Sequence, residues 1–286
     1  MENEKSIDNI AGKMMSACTL CPRECHVDRS SGTKGSGAVF FSGCGLRCCF
    51  CQNHDIAIGS RGLAVSVERI GEIFLELKEK GAANINLVTG AHYVPQIIEA
   101  LKLARMQGMD LPVVYNSSGY EKLETLKLLE GYVDIYLPDL KYMEPDLAQK
   151  FSHAPDYVER AKAAIKEMVR QSGSCQFGED GYIRRGTIVR HLILPGHTKN
   201  SRKVLRYLHE TYGEEIYISI MNQYTPVREF GEFKELNRKV TKREYEKVLD
   251  TAVEMGIQNG FIQEGETASE SFIPEFDYEG VEKNTP

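Results

Sequence analysis

Residues 38–55 read AVFFSGCGLRCCFCQNHD: an apolar run from Ala38 to Phe41, then a Gly-punctuated loop carrying Cys44, Cys48, Cys49 and Cys51. The run is short and rich in β-formers, and similar runs recur downstream. They are NINLVT from Asn84, LPVVYN from Leu111, VDIYLP from Val133, TIVRHLIL from Thr187, EIYISIM from Glu215 and GFIQ from Gly260. Between them apolar residues fall at helical spacing, as at Val67, Ile70, Ile73, Phe74 and Leu77. Strands that alternate with helices must cross over to pair, which makes the sheet parallel and the fold α/β. Six or seven βα units are too few for a closed eight-stranded barrel, so the pattern suits a partial barrel or an open doubly wound sheet.

The helical patterns stop near Gly81, Gly108, Gly131, Gly213 and Gly256, and Thr241 with Glu244 has the spacing of a capping box. Three regions follow. Residues 1–37 form a cysteine-containing extension, residues 38–265 the βα core, and residues 266–286 an acidic tail whose Phe272, Ile273, Phe276 and Tyr278 suggest that it packs. The polar stretch GSCQFGEDGYIRRG at 173–186 is a lid candidate.

The chain has 286 residues, 42% hydrophobic and 27% charged, which is the composition of an ordinary globular protein. A net charge of −6 gives no drive toward phosphate backbones, so no nucleic-acid partner is expected. No apolar run reaches the roughly 18 residues of a membrane span. The opening MENEKSIDNI has charges where a secretion signal needs an apolar stretch, so a cytoplasmic location is expected. There the 8 cysteines are reduced, and all but Cys175 precede residue 52, which points to metal ligation and away from a disulfide framework.

In either βα architecture the site lies at the C-terminal ends of the strands. Those ends are polar in turn: Ser42 and Cys44; Thr89, Gly90 and His92; Asn116, Ser117 and Ser118; Asp139 and Lys141; His197; Asn222 and Gln223. At the first of them Cys44, Cys48 and Cys51 have the spacing CxxxCxxC, with Cys49 left over. A [4Fe–4S] cluster is fully ligated by four thiolates, so three leave one iron open to a small molecule. A structural zinc would need a fourth ligand from Cys49 or His54.

Cys44, Cys48, Phe50 and Cys51 match CxxxCxφC with φ aromatic, and on these residues the chain resembles the radical SAM superfamily. The resemblance implies a partial (β/α)6 TIM-like barrel, a [4Fe–4S] cluster on Cys44, Cys48 and Cys51, and S-adenosyl-L-methionine on the open iron. Reductive cleavage of that cofactor would release a 5′-deoxyadenosyl radical able to abstract hydrogen from a substrate. The stretches GSGAVFFSGCGLRCCFCQNHDI, NINLVTGAHYVPQIIEAL, VVYNSSGYE, VDIYLPDLKY, RHLILPGHT and SIMNQYTP together look like the family related to pyruvate formate-lyase activating enzyme. The second-strand loop of such enzymes is often GGE; here Thr89, Gly90, Ala91 and His92 stand there, so the amino contact falls to Thr89 and backbone carbonyl. Asp139 and Lys141 match DxK and are assigned to the methionine end of the cofactor. Asn116 and Ser117 have ribose-binding chemistry, and Asn222 is a further candidate for adenine or substrate. Arg190 and His191 lie within TIVRHLIL, where alternation sends one inward and one outward. An inward Arg190 would bind the cofactor carboxylate.

Cys18, Cys21 and Cys25 read CTLCPREC, followed by His26. They resemble a segment that precedes the core in relatives and are candidates for a second iron–sulfur cluster or a zinc, although no fourth thiolate is evident. Three functions are in play. The first is hydrogen abstraction from a protein glycine, as in glycyl-radical-enzyme activation. The second is modification of a small molecule or short peptide with an auxiliary N-terminal metal centre, and the third a non-enzymatic zinc or electron-transfer protein. The enzymatic readings call for a one-electron donor such as a flavodoxin or ferredoxin.

Overall fold

The computed structural model describes residues 35–57, 61–262, 278, 280 and 281. Strands β1 (Ser36–Phe40), β2 (Asn84–Val88), β3 (Val113–Ser117), β4 (Ile135–Pro138), β6 (Ile183–Leu192), β7 (Tyr217–Met221) and β8 (Gly260–Ile262) pair in that order, every pair parallel. A short β5 (Gln176–Phe177) runs antiparallel to β6. An order that rises monotonically along the sheet means that every crossover steps the same way. A doubly wound sheet reverses direction at its centre, so this is the partial barrel, with β1 and β8 at its two ends. All seven expected parallel strands are present; the first begins at Ser36, inside the stretch assigned to the extension.

The helices are α1 (His54–Ala57), α2 (Val67–Glu79), α3 (Val94–Met106), α4 (Leu123–Leu128), α5 (Pro145–Ser152), α6 (Tyr157–Ser172), α7 (Thr198–Tyr212) and α8 (Lys242–Glu254). Local chemistry sets their ends. The Ser66 hydroxyl accepts the Arg69 N–H ahead of α2, and Thr241 with Glu244 makes the capping box expected at α8. Helix α6 buries Ala161, Ala164, Ile165 and Met168 at a spacing of three and four, each larger side chain contributing roughly 1.5–3 kcal/mol.

Register fixes which side chains meet the helices. Leu87 pairs with Tyr115 and Tyr115 with Tyr136, and all three are buried on the helix-facing side. Their neighbours Asn86, Asn116 and Asp139 face the concave side, as does Arg190, the bridge partner of Asp139. Alternation thus gathers Asn116, Asp139 and Arg190 on one side of the sheet.

The 173–186 stretch is corrected. It contains β5 and the turn into β6, and Gly186 pairs with Ile135, the first residue of β4. It lies at the N-terminal ends of the strands, the far side from the cysteine loop, where it cannot act as a lid. Phe272, Ile273 and Phe276 lie outside the described residues, and Tyr278 is exposed. Arg69 on α2 donates to the carbonyl oxygens of Gly280 at 3.1 Å and Val281 at 3.0 Å. Among the described residues no helix is long and apolar enough to cross a membrane.

Candidate active site

The cysteine loop continues β1: Phe41 N–H donates to Val88 O at 3.0 Å, after which the chain leaves the sheet. Helix α1 closes it, because Gly43 N–H reaches Ile56 O at 2.8 Å and Cys44 N–H reaches Ala57 O at 2.9 Å. Two apolar side chains plug the loop into the core. Leu46 is buried, and Phe50 packs edge-on against Phe151 at 6.3 Å and Tyr224 at 6.1 Å. Phe50 therefore stands among core rings, anchoring the segment from which Cys48 and Cys51 project. Cys49 N–H donates to Phe151 O at 2.8 Å, which ties the loop to the carboxyl end of α5.

Burial pushes the Cys48 thiol up to about 12, with Cys51 and Cys44 adding to the rise and Lys141 opposing it. Cys51 is raised by the same burial and likewise opposed by Lys141. Cys44 and Cys51 lie near enough to oppose ionisation of Cys48, and an ammonium stands beside them. Among the described residues no three cysteine, histidine or acidic side chains are closed around a point like a finished metal cage.

Beside the thiols lies a polar cluster from three strand ends. Arg190 Nε donates to Asp139 Oδ1 at 2.8 Å, Arg190 Nη2 to Asn116 Oδ1 at 2.7 Å, and Lys141 Nζ to Asp139 Oδ2 at 2.6 Å. Burial would raise the Asp139 carboxyl, but Arg190 and Lys141 outweigh it and hold the group below the usual carboxylate range. Burial would likewise lower Lys141, and Asp139 and Cys48 reverse that. Two cations share one carboxylate, so the cluster carries a net positive charge with which to receive an anion. Tyr157 staples this segment, accepting from Lys141 N–H at 3.0 Å and donating to Asp139 O at 2.9 Å. The approach requires Gly119: at its φ of +78° a Cβ would stand 2.3 Å from Asp139 O.

A cavity of about 430 Å³ opens over the first three strand ends, lined by Cys44, Thr89, His92, Tyr120, Glu121 and Arg160 among others. Thr89 has φ +62°, a left-handed conformation that its β-branched side chain disfavours. Its N–H donates to Asn116 O at 3.0 Å. A Cβ on Gly90 would meet Ile97 Cδ1 at 2.7 Å, so a larger residue there would have to push that methyl group aside.

The structure thus brings together Cys44, Cys48, Cys51, Asn116, Asp139, Lys141 and Arg190, with Thr89 and Gly90 at the cavity edge. Ser117 is separated from Asn116 by alternation: it faces the helices, and its hydroxyl donates to Glu121 Oε1 at 2.7 Å. His191 is the outward partner of Arg190, buried with Nδ1 2.7 Å from Leu140 O and Nε2 2.9 Å from Ser201 Oγ. Asn222 follows β7 directly and is half-buried. Cys18, Cys21, Cys25 and His26 lie outside the described residues.

Two features escaped the sequence reading. Glu121 is a buried carboxylic acid at the cavity, raised to about 7 by burial against the hydrogen bonds from Ser117 and Tyr115. Ser152 reaches Cys48 from α5. Neither is marked by a motif; an acid one residue past a Gly-Tyr turn was the only available hint of the first.

The sequence model of the radical SAM superfamily matches residues 38–208. An uncharacterised protein of Methanocaldococcus jannaschii is 26% identical over 278 aligned residues, covering 85% of this chain and 76% of that protein. Pyruvate formate-lyase-activating enzyme of Clostridium pasteurianum is 29% identical over 113 residues, 38% of this chain and 46% of that one. Among solved structures, Streptococcus suis SuiB bound to S-adenosylmethionine superposes with a TM-score of 0.54 at 12% identity, over 82% of this chain and 52% of that one.

Proposed function

The chain belongs to the radical SAM superfamily, and from that premise we propose that Cys44, Cys48 and Cys51 hold a [4Fe–4S] cluster at which S-adenosylmethionine is reductively cleaved. The observation that carries the reading is adjacency: Lys141 bears electrostatically on Cys48 and Cys51 while it pairs with Asp139, which Arg190 holds from the other side. An amino acid that chelates a metal corner needs both an anion receptor and carbonyl or carboxylate acceptors beside that corner, and this donor set fits. When bound, the cluster and its cofactor supply one-electron cleavage of a C–S bond and a 5′-deoxyadenosyl radical.

The residues of the chain do the rest. Arg190 and Lys141 present N–H donors to a carboxylate, and Asp139 fixes the direction of both. Asn116 orients the second edge of the guanidinium. Gly90 lets the backbone after β2 come close, and Thr89 turns that backbone toward the cavity. Leu46 and Phe50 keep water from beneath the loop. The reducing electron comes from a flavodoxin or ferredoxin type of donor.

The hydrogen atom is proposed to come from a glycine in a partner protein. The 113-residue likeness to an activating enzyme supports this, as does a cavity bounded by loops at the barrel mouth, where an extended segment can enter. Anaerobic reconstitution with iron and sulfide, followed by electron paramagnetic resonance and assay for 5′-deoxyadenosine, tests the first part. A protein that takes up only zinc, with a spectrum unmoved by S-adenosylmethionine, overturns it. Deuterium passing from a glycine-labelled glycyl-radical enzyme into 5′-deoxyadenosine tests the second, and deuterium arriving only from a small molecule refutes it.

A further inference from the structure

Helix α5 ends against the cysteine loop, and its last residue is a serine with an unusual environment. Ser152 Oγ lies 3.1 Å from Cys48 Sγ and 2.7 Å from the Tyr142 hydroxyl. Both residues are fully enclosed, Ser152 at 2% and Tyr142 at 0% exposure. A buried hydroxyl costs free energy unless it is paired, and an alanine would fill the same corner of the helix without that cost. The backbone already fastens this corner, since Phe151 O accepts the Cys49 N–H and the Phe151 ring meets Phe50. Holding the loop does not require the hydroxyl.

We propose that Tyr142 and Ser152 form a directed hydrogen-bond relay onto the Cys48 sulfur that raises the reduction potential of the cluster Cys48 ligates. The inference rests on the cluster assignment above. A ligating thiolate carries no proton and can only accept, so the Ser152 proton points at sulfur. The serine oxygen is then the acceptor for Tyr142, whose phenol polarises the Ser152 O–H and strengthens its donation. Hydrogen bonds to cluster sulfurs are among the determinants of potential. They stabilise the state with more negative charge, which is the reduced one, so the relay favours uptake of the single electron from the donor protein. No proton leaves the relay; it shifts an equilibrium and takes part in no bond change.

The test is a redox titration of the reconstituted holoprotein, followed by electron paramagnetic resonance without added S-adenosylmethionine. Ser152→Ala should lower the reduced-to-oxidised ratio at a fixed potential about tenfold, ~59 mV for one electron, with iron content unchanged. Tyr142→Phe, which removes only the phenolic oxygen, should shift it the same way by about threefold. The double variant should fall no further than Ser152→Ala, because Tyr142 acts only through Ser152, and Ser152→Thr should retain the wild-type value. An unshifted potential in iron-replete Ser152→Ala, or losses that add in the double variant, overturns the relay. Should Ser152→Ala fail to load iron, an unshifted Tyr142→Phe overturns it equally. A wild-type protein that assembles no cluster defeats the cluster assignment, which is a separate and distinguishable result.

Discussion

Arg190 and Asp139 face each other as bridge partners between β6 and the end of β4, and Arg190 Nε donates to Asp139 Oδ1 at 2.8 Å. The same guanidinium turns its other edge to Asn116 on β3. One planar side chain therefore ties three strand ends into one surface, on the concave side and beside the thiols. An ammonium could supply the charge but not the two-edged geometry.

Arg190→Lys should keep the net charge of the cluster and lose one of the two contacts. Cluster loading should be unaffected, while the dissociation constant for S-adenosylmethionine should rise about tenfold, ~1.4 kcal/mol. Anaerobic calorimetry on the reconstituted variant measures this. Unchanged affinity would make Arg190 a strand tie and nothing more.

Cys49 stands between two assigned ligands, yet its backbone is committed elsewhere: its N–H goes to Phe151 O, and its carbonyl accepts from Arg228 Nη2 at 3.0 Å. Cys49→Ala should retain iron and produce 5′-deoxyadenosine within about twofold of wild type, because losing one half-buried sulfur that is not a ligand leaves the loop's backbone bonds intact. Ser or Ala at Cys44, Cys48 or Cys51 should abolish the product. Equal loss at Cys49 would force a different ligand set.

Much of this site is readable from local pattern. Strands with β-branched runs between glycines are conspicuous, and alternation within TIVRHLIL sends Arg190 and His191 to opposite faces; which of them turns inward is decided by the partners of His191, Leu140 O and Ser201 Oγ. The same rule applied to VVYNS separates Asn116 from Ser117, a consequence that composition alone conceals. Glu121 was not legible: its carboxylate returns to the strand through the turn at Gly119, a geometry that depends on the close approach of Asp139. Tyr142 and Ser152 meet Cys48 only once α5 is seated. The β5 hairpin was hidden because its strand is two residues long and set in the small and polar residues of 173–181.

Glu121 ties stability to pH. Its folded-state value of about 7 exceeds the ordinary 4.5, so between those limits the native chain keeps a proton that the unfolded chain has released. Its contribution is fully present below about pH 4.5 and declines as pH rises through about 7, by roughly 3 kcal/mol in all. Glu121→Gln, which preserves an acceptor for Ser117, should flatten that slope and be the more stable form near about pH 8. Urea midpoints at several pH values, wild type against variant, measure it. Parallel curves would show that Glu121 titrates like a surface carboxylate.

Thr89 is held at φ +62° at the end of β2, between the polar cluster and the cavity. For a residue with a Cβ this conformation costs about 1–2 kcal/mol, and glycine avoids it while adding entropy to the unfolded chain. Thr89→Gly should therefore stabilise the protein by about 1 kcal/mol net, seen as a higher melting temperature. It should at the same time weaken S-adenosylmethionine binding severalfold, because the strained turn no longer holds one orientation toward the cavity. Opposite signs on stability and affinity are what a turn strained for binding requires. A lower melting temperature would instead mean that contacts of the threonine side chain outweigh its backbone strain, and the conformation would then be a by-product of packing.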